Sequence, residues 1–125
     1  MDQLPESNRP SDQNVVNWEC ALEAVEHDHD LLEAVIEGAL EETPELLQQL
    51  ESALQNGQPV EAQRACHTLK GNAQSLGVEL VAAQSAIMEE LAASEQFSSL
   101  RKELPRLHEI INLMTRELNN WLNER

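Results

Sequence analysis

The stretch PVEAQRACHTLKGNAQSLG, residues 59–77, carries most of what can be read about this chain. Pro59 suits the first position of a helix, where its missing N–H has no partner to lose, and Gly77 suits the residue just past a helix end. At about 100° per residue, Ala62, Ala65, Cys66, Leu69, Ala73 and Leu76 fall on one face, which must turn to a core. His67 lies on the opposite side. Its helical neighbours there are Gln63, Arg64, Lys70, Gly71 and Gln74, three, four or seven positions away.

The flanking segments extend the helical pattern in both directions. Val15, Trp18, Ala21, Leu22 and Val25 recur at helical spacing and predict a short first helix over 15–25, which His27-Asp28-His29-Asp30 breaks. Leu32, Val35, Ile36, Ala39 and Leu40 predict a second helix, ending where Thr43-Pro44-Glu45 offers an N-cap, a first-position proline and a first-turn carboxylate. A third then runs through Leu46, Leu47, Leu50 and Leu54 to Asn56-Gly57, and the helix of residues 59–77 is the fourth. A fifth carries Leu80, Ala83, Ile87 and Leu91. The last uses Leu104, Leu107, Ile111, Met114, Leu118 and Trp121, with Pro105 expected to break or restart it near its beginning. Short connections make successive helices antiparallel neighbours. The expected fold is all-α: an antiparallel up-and-down four-helix bundle with an extra short N-terminal helix and a long C-terminal helix.

Composition agrees. Tyr is absent and only four Gly are present among 125 residues, and Leu, Ala, Glu and Gln, all good helix formers, dominate. The length fits one domain with a modest core and leaves little room for a second lobe around a substrate cleft. Residues 1–13 are polar and contain two prolines, and are expected to be a disordered leader or linker remnant before a domain spanning 14–125. A formal charge of −15 argues against nucleic acid and anionic membrane surfaces, both of which need clustered Lys and Arg. No apolar run could span a bilayer and no signal-peptide apolar region occurs, so a cytoplasmic location is expected. Cys20 and Cys66 are then expected to be free thiols.

Two features set His67 apart from an ordinary surface histidine. Between Arg9 and Arg101 the chain has 17 acidic side chains and only two basic ones, Arg64 and Lys70, which stand three residues before and three after His67. Such a pair would lower the cost of placing a phosphoryl group on the imidazole; surface ion pairing is the plainer alternative. Gly71 sits mid-helix one turn after His67, where it costs about 1 kcal/mol relative to Ala. The missing side chain would let a partner approach the imidazole, as in-line transfer requires.

Ala65-Cys66-His67-Thr68-Leu69-Lys70-Gly71-Asn72-Ala73-Gln74-Ser75-Leu76-Gly77 resembles the histidine phosphotransfer (HPt) signature, in which His-x-Leu-Lys-Gly is followed by small residues and a second glycine. The resemblance covers roughly residues 21–91, including Leu40-Glu41-Glu42-Thr43-Pro44 and Met88-Glu89. Two positions depart: Ala39 stands where the family usually has phenylalanine, and Met88 where it usually has leucine. The resemblance implies that Nε2 of His67 accepts the phosphoryl group, that Lys70 holds its oxygens and that Gly71 keeps the approach open. It also implies that Glu89, from the next helix, fixes the imidazole tautomer; a solvated helix-face charge is the alternative for this residue. The implied partners are response-regulator receiver domains and a hybrid sensor histidine kinase, met through a footprint including Arg64, Gln74 and Ser75. The implied role is a stoichiometric relay between receiver aspartates, not an ATP-dependent kinase, and a monomer is expected.

Other candidates are weaker. Glu26, with His29 three residues on and His27 beside it, could suggest a di-iron bundle, but a second Glu-x-x-His is missing, so no metal is expected. His108 reads as a surface residue. No Gly-rich phosphate loop or G-x-S-x-G elbow is present, and no cofactor is expected. The competing reading is a non-catalytic helical protein-interaction module in which His67 is incidental.

Overall fold

The structure, a computed structural model, describes residues 14–125; the expected leader over 1–13 lies outside the described residues. Five helices are present among them: α1 (Trp18–Ala24), α2 (His29–Asn56), α3 (Pro59–Ser75), α4 (Glu79–Ala93) and α5 (Phe97–Asn123). The links between the four long helices are two or three residues, so consecutive helices run antiparallel. α2 packs on α3, α3 on α4, α4 on α5, and α5 closes the ring on α2, with α1 against one end of α2.

Two expected helices prove to be one. α2 runs unbroken through Pro44 because its buried residues, Leu32, Ile36, Ala39, Thr43, Leu46, Leu50, Ala53 and Leu54, keep one phase across the proline. Pro44 itself is exposed, where water can bond the carbonyl left without a donor. Pro105 likewise lies exposed inside α5 and neither breaks nor restarts it, since Leu100, Leu107, Ile110, Ile111, Met114 and Leu118 bury continuously. The long C-terminal helix is therefore one of the four bundle helices. α1 is shorter than expected: Asn17 caps it by accepting from the Cys20 N–H at 3.1 Å, and Val15 and Val16 are buried in the segment before it.

α3 buries Ala62, Ala65, Cys66, Leu69 and Ala73, with Leu76 buried just beyond its end, which is the expected face. α4 does not follow expectation. Leu80 and Ile87 are 42% and 51% exposed, and the helix instead buries Val81, Ala82, Gln84, Ser85, Met88 and Ala92. The two positions that depart from the family pattern, Ala39 and Met88, both lie in the core. Gln84 is kept from being an orphan by donating to the Glu103 carboxylate at 2.8 Å.

The segment before α1 ties the bundle end together. The Glu117 carboxylate accepts from the Val15 N–H at 2.7 Å and the Trp18 indole at 2.8 Å, and Trp18 stacks on Trp121. Asn17 N–H donates to the Gly77 carbonyl at 2.9 Å. Gly77 has φ +69°, and a Cβ there would stand 2.7 Å from the Asn17 carbonyl oxygen. Gly57, at φ +63°, meets nothing within 4 Å. Gly77→Ala should therefore cost about 1–3 kcal/mol and more than Gly57→Ala, which carries only the backbone strain. Urea unfolding of both variants checks this; equal losses would rule out the close approach as the cause.

Candidate functional site

His67 stands on the outer face of α3 with 68% of its side chain exposed. α3 and α4 pack directly on each other, and Glu89 of α4 reaches the ring: its Oε2 lies 2.9 Å from His67 Nδ1. The other oxygen, Oε1, lies 2.7 Å from Lys70 Nζ. One carboxylate, itself only 17% exposed, thus holds both the imidazole and the ammonium.

The Lys70 hydrogen bond, with a smaller contribution from His67, holds the Glu89 carboxyl below the usual carboxylate range against the opposing effect of burial. An ionised carboxylate can only accept, so the His67 nitrogen facing it must carry the proton. The neutral ring is then the Nδ1–H tautomer, and the Nε2 lone pair is left free. Burial, with Glu89 adding, pushes the neighbouring Cys66 thiol up to about 12, so it offers no competing thiolate.

Of the residues singled out in the sequence, His67, Lys70 and Glu89 meet directly. Gly71 is exposed, and a Cβ there would meet nothing within 4 Å. Arg64 does not join this cluster: it lies on the α2 flank, lining a groove with Glu45, Gln48 and Glu61. Ser75 donates to the Gly71 carbonyl at 3.1 Å and lines a second α2–α3 groove with Asn72 and Glu42, while Gln74 borders a depression with Asn17 and Leu80. No hydrogen bond or ion pair joins Arg64, Gln74 or Ser75 to His67. The Lys70–Glu89 pair escaped the sequence because it joins residues 19 apart on two helices, and nothing in local spacing marks it. His108 is more than a bare surface residue: its Nε2 lies 2.6 Å from Glu51 Oε2, linking α5 to α2. His27 lies in the α1–α2 turn, and His29 packs against Trp121. Among the described residues no group of three His, Cys, Asp or Glu side chains is placed to hold a metal.

The fold is thus a four-helix bundle that presents one exposed histidine, held at Nδ1 by a carboxylate, on its outer face. The model of the family described as "Hpt domain" matches residues 34–121. Among solved structures, the chain is similar to histidine-containing phosphotransfer protein B (HptB) from Pseudomonas aeruginosa PAO1. That match has TM-score 0.83 and 16% identity, and covers 89% of this chain and 96% of that one. It is also similar to the HPT domain of a sensor hybrid histidine kinase from Shewanella, with TM-score 0.78, 18% identity and the same coverages, 89% and 96%. No curated protein sequence matches significantly. The chain belongs to the Hpt domain family and is a phosphotransfer domain of the phosphorelay type. Among the described residues, no helix is long and apolar enough to cross a membrane.

Because the native Glu89 carboxyl sits below its ordinary value of 4.5, its pairing stabilises the fold above that pH and is lost as pH falls through the native value. Wild type should exceed Glu89→Gln in stability at pH 7, and the gap should narrow below about pH 4. Urea midpoints at pH 7 and pH 3 measure it; a gap of constant size would contradict the ionised pairing.

Proposed function

We propose that His67 accepts a phosphoryl group through Nε2 from a receiver-domain aspartyl phosphate and passes it to the aspartate of another receiver. The observation that carries this reading is the His67 ring, held at Nδ1 by Glu89 and otherwise open to solvent. Lys70, one turn away with 27% of its side chain exposed, is within reach of the phosphoryl oxygens by rotation of its flexible stem. Gly71 leaves room for the donor's approach, and Arg64, Gln74 and Ser75 border the surface the receiver covers. Two phosphoryl transfers between aspartate and histidine conserve a high-energy bond, so the chain needs no nucleotide and has no ATP-dependent kinase activity. It acts as a monomer in the cytoplasm, with a hybrid sensor kinase as one source of phosphate.

Incubation with a phosphorylated receiver should place acid-labile, base-stable phosphate on the wild type and none on His67→Gln. Absence of label from the wild type with several receivers would favour a plain interaction module. Transfer should drop in Glu89→Ala and hold in Glu90→Ala. Gly71→Ala separates chemistry from folding: stability should rise by up to about 1 kcal/mol, because the helix gains a better former and the new methyl meets nothing. Transfer to the same variant should slow severalfold, read by the rate of label uptake; an unchanged rate would remove Gly71 from the footprint.

A further inference from the structure

Beside the histidine face, α2 and α3 leave an open groove of about 410 Å³ that the phosphoryl acceptor does not use. Its floor is apolar, built from Val35 and Ala39 of α2 and Leu76 of α3. Ala39 is the position where the family usually has phenylalanine; here a single methyl group lines the space. Gly38 stands beside it in the middle of a 28-residue helix, exposed, where a Cβ would meet nothing within 4 Å. Its φ is not positive, so neither backbone nor packing calls for a glycine, the poorest helix former after proline. Close approach from outside is the steric reason that remains.

The rim is acidic. Glu41, Glu42 and Glu45 of α2 line it, and all three are exposed. Glu42 Oε1 accepts from Asn72 of α3 at 2.7 Å, which leaves its second oxygen able to accept another donor. Among the described residues, none of the three pairs with a Lys, Arg or His. Arg64 lies in the adjoining groove with Glu45 and Glu61, and Lys70 is engaged by Glu89 on the opposite flank of α3. A cation for this rim must therefore come from a partner.

We propose that the groove takes one long cationic side chain, lysine or arginine, from the receiver that exchanges phosphate with His67. Its aliphatic stem lies on Val35, Ala39 and Leu76, and its charged head lies among the three carboxylates. This rests on the reading of His67 as the acceptor. The lining selects the occupant: an apolar side chain would desolvate the carboxylates without pairing them, an acidic one would be repelled, and Lys or Arg matches an apolar floor under an anionic rim. The groove is also within reach. Asn72 and Ser75, on its α3 wall, stand about 8 and 12 Å beyond His67 along the helix axis, and a partner covering about 800 Å² spans both places. The groove thus selects among receivers without touching the reacting atoms.

The test uses the full chain and a receiver that labels wild-type His67, with the affinity of the unphosphorylated receiver measured at low and at physiological salt. The double variant Glu41→Gln/Glu42→Gln, whose amide oxygen can still accept from Asn72, should bind at least about fivefold more weakly at low salt. The loss should lie chiefly in the association rate, and the salt dependence should flatten. Ala39→Phe, which fills the floor, should also weaken binding severalfold while its urea midpoint stays at or above that of wild type. Glu109→Gln/Glu124→Gln, which removes two charges from α5, should stay within twofold of wild type. Replacing the receiver's surface Lys and Arg residues singly with Met should find one whose loss weakens binding to wild type and adds nothing to the loss in the Glu41/Glu42 variant. Wild-type affinity in either groove variant, or a scan in which every receiver cation is additive with the groove charges, would overturn the proposal. Absence of label on wild-type His67 from every receiver tried would instead overturn the acceptor reading.

Discussion

Everything at the site depends on how closely α4 can approach α3. The buried side chains of the two helices include many small ones, Ala62, Ala65, Cys66 and Ala73 on α3 and Ala82, Ser85 and Ala92 on α4, beside the larger Leu69, Val81, Gln84 and Met88. Small side chains let helix axes come together, and only then can a glutamate, with two methylene groups, span from one outer face to the next. Ser85 of α4 is fully buried and its hydroxyl has no hydrogen-bond partner. That orphan costs about 1–3 kcal/mol of desolvation.

The remaining helices hold that pair in register. Asn72 ties α3 to Glu42 of α2, Gln84 ties α4 to Glu103 of α5, and the Arg101 guanidinium donates to the Leu54 carbonyl at 3.0 Å, satisfying a terminal carbonyl of α2. The chain's two described ends meet through Glu117, Trp18 and Trp121, while Arg125 lies over Trp121 and bonds Asp30 and Glu33. These links are polar, few and peripheral; the core fixes the shape and they fix the relative rotation of the helices. Rotation matters most here, because turning α4 by one residue would move Glu89 about 100° away from His67.

How much of this was legible in the sequence follows from which signal each element carries. The α3 face could be read because its buried positions are all apolar and, apart from Val60 in the first turn, its exposed ones are polar or glycine. α2 was divided in two because Thr43, a polar residue in a buried position, stood beside a proline with helix-start chemistry, and only the unbroken phase from Leu32 to Leu54 shows that packing overrides it. The exposed flank of α4 is misleading in sequence: Leu80 and Ile87 outweigh the small or polar Ala82, Gln84 and Ser85 in any apolar pattern, yet the latter are the ones buried. The site was half legible. His67, Lys70 and Gly71 lie within one local motif, whereas the pairing of Lys70 with Glu89 and the separation of Arg64 from it depend on which neighbour each flank of α3 meets.

The openness of the site also says where the chemistry must be supplied. A ring with 68% of its side chain exposed gains little from a low-dielectric surround, and the groups on this chain hold a proton, a lone pair and one cation in place, without a pocket that excludes water. Such a surface can be a competent nucleophile and leaving group, but it cannot by itself stabilise the charge of a phosphoryl group in flight. On the proposed reading that task falls to the partner, whose surface must dry the site as it docks. On the same reading, the division explains why so little apparatus is needed here: one carboxylate reaching across from the next helix would orient the nucleophile, and a mid-helix glycine would leave the way open to it.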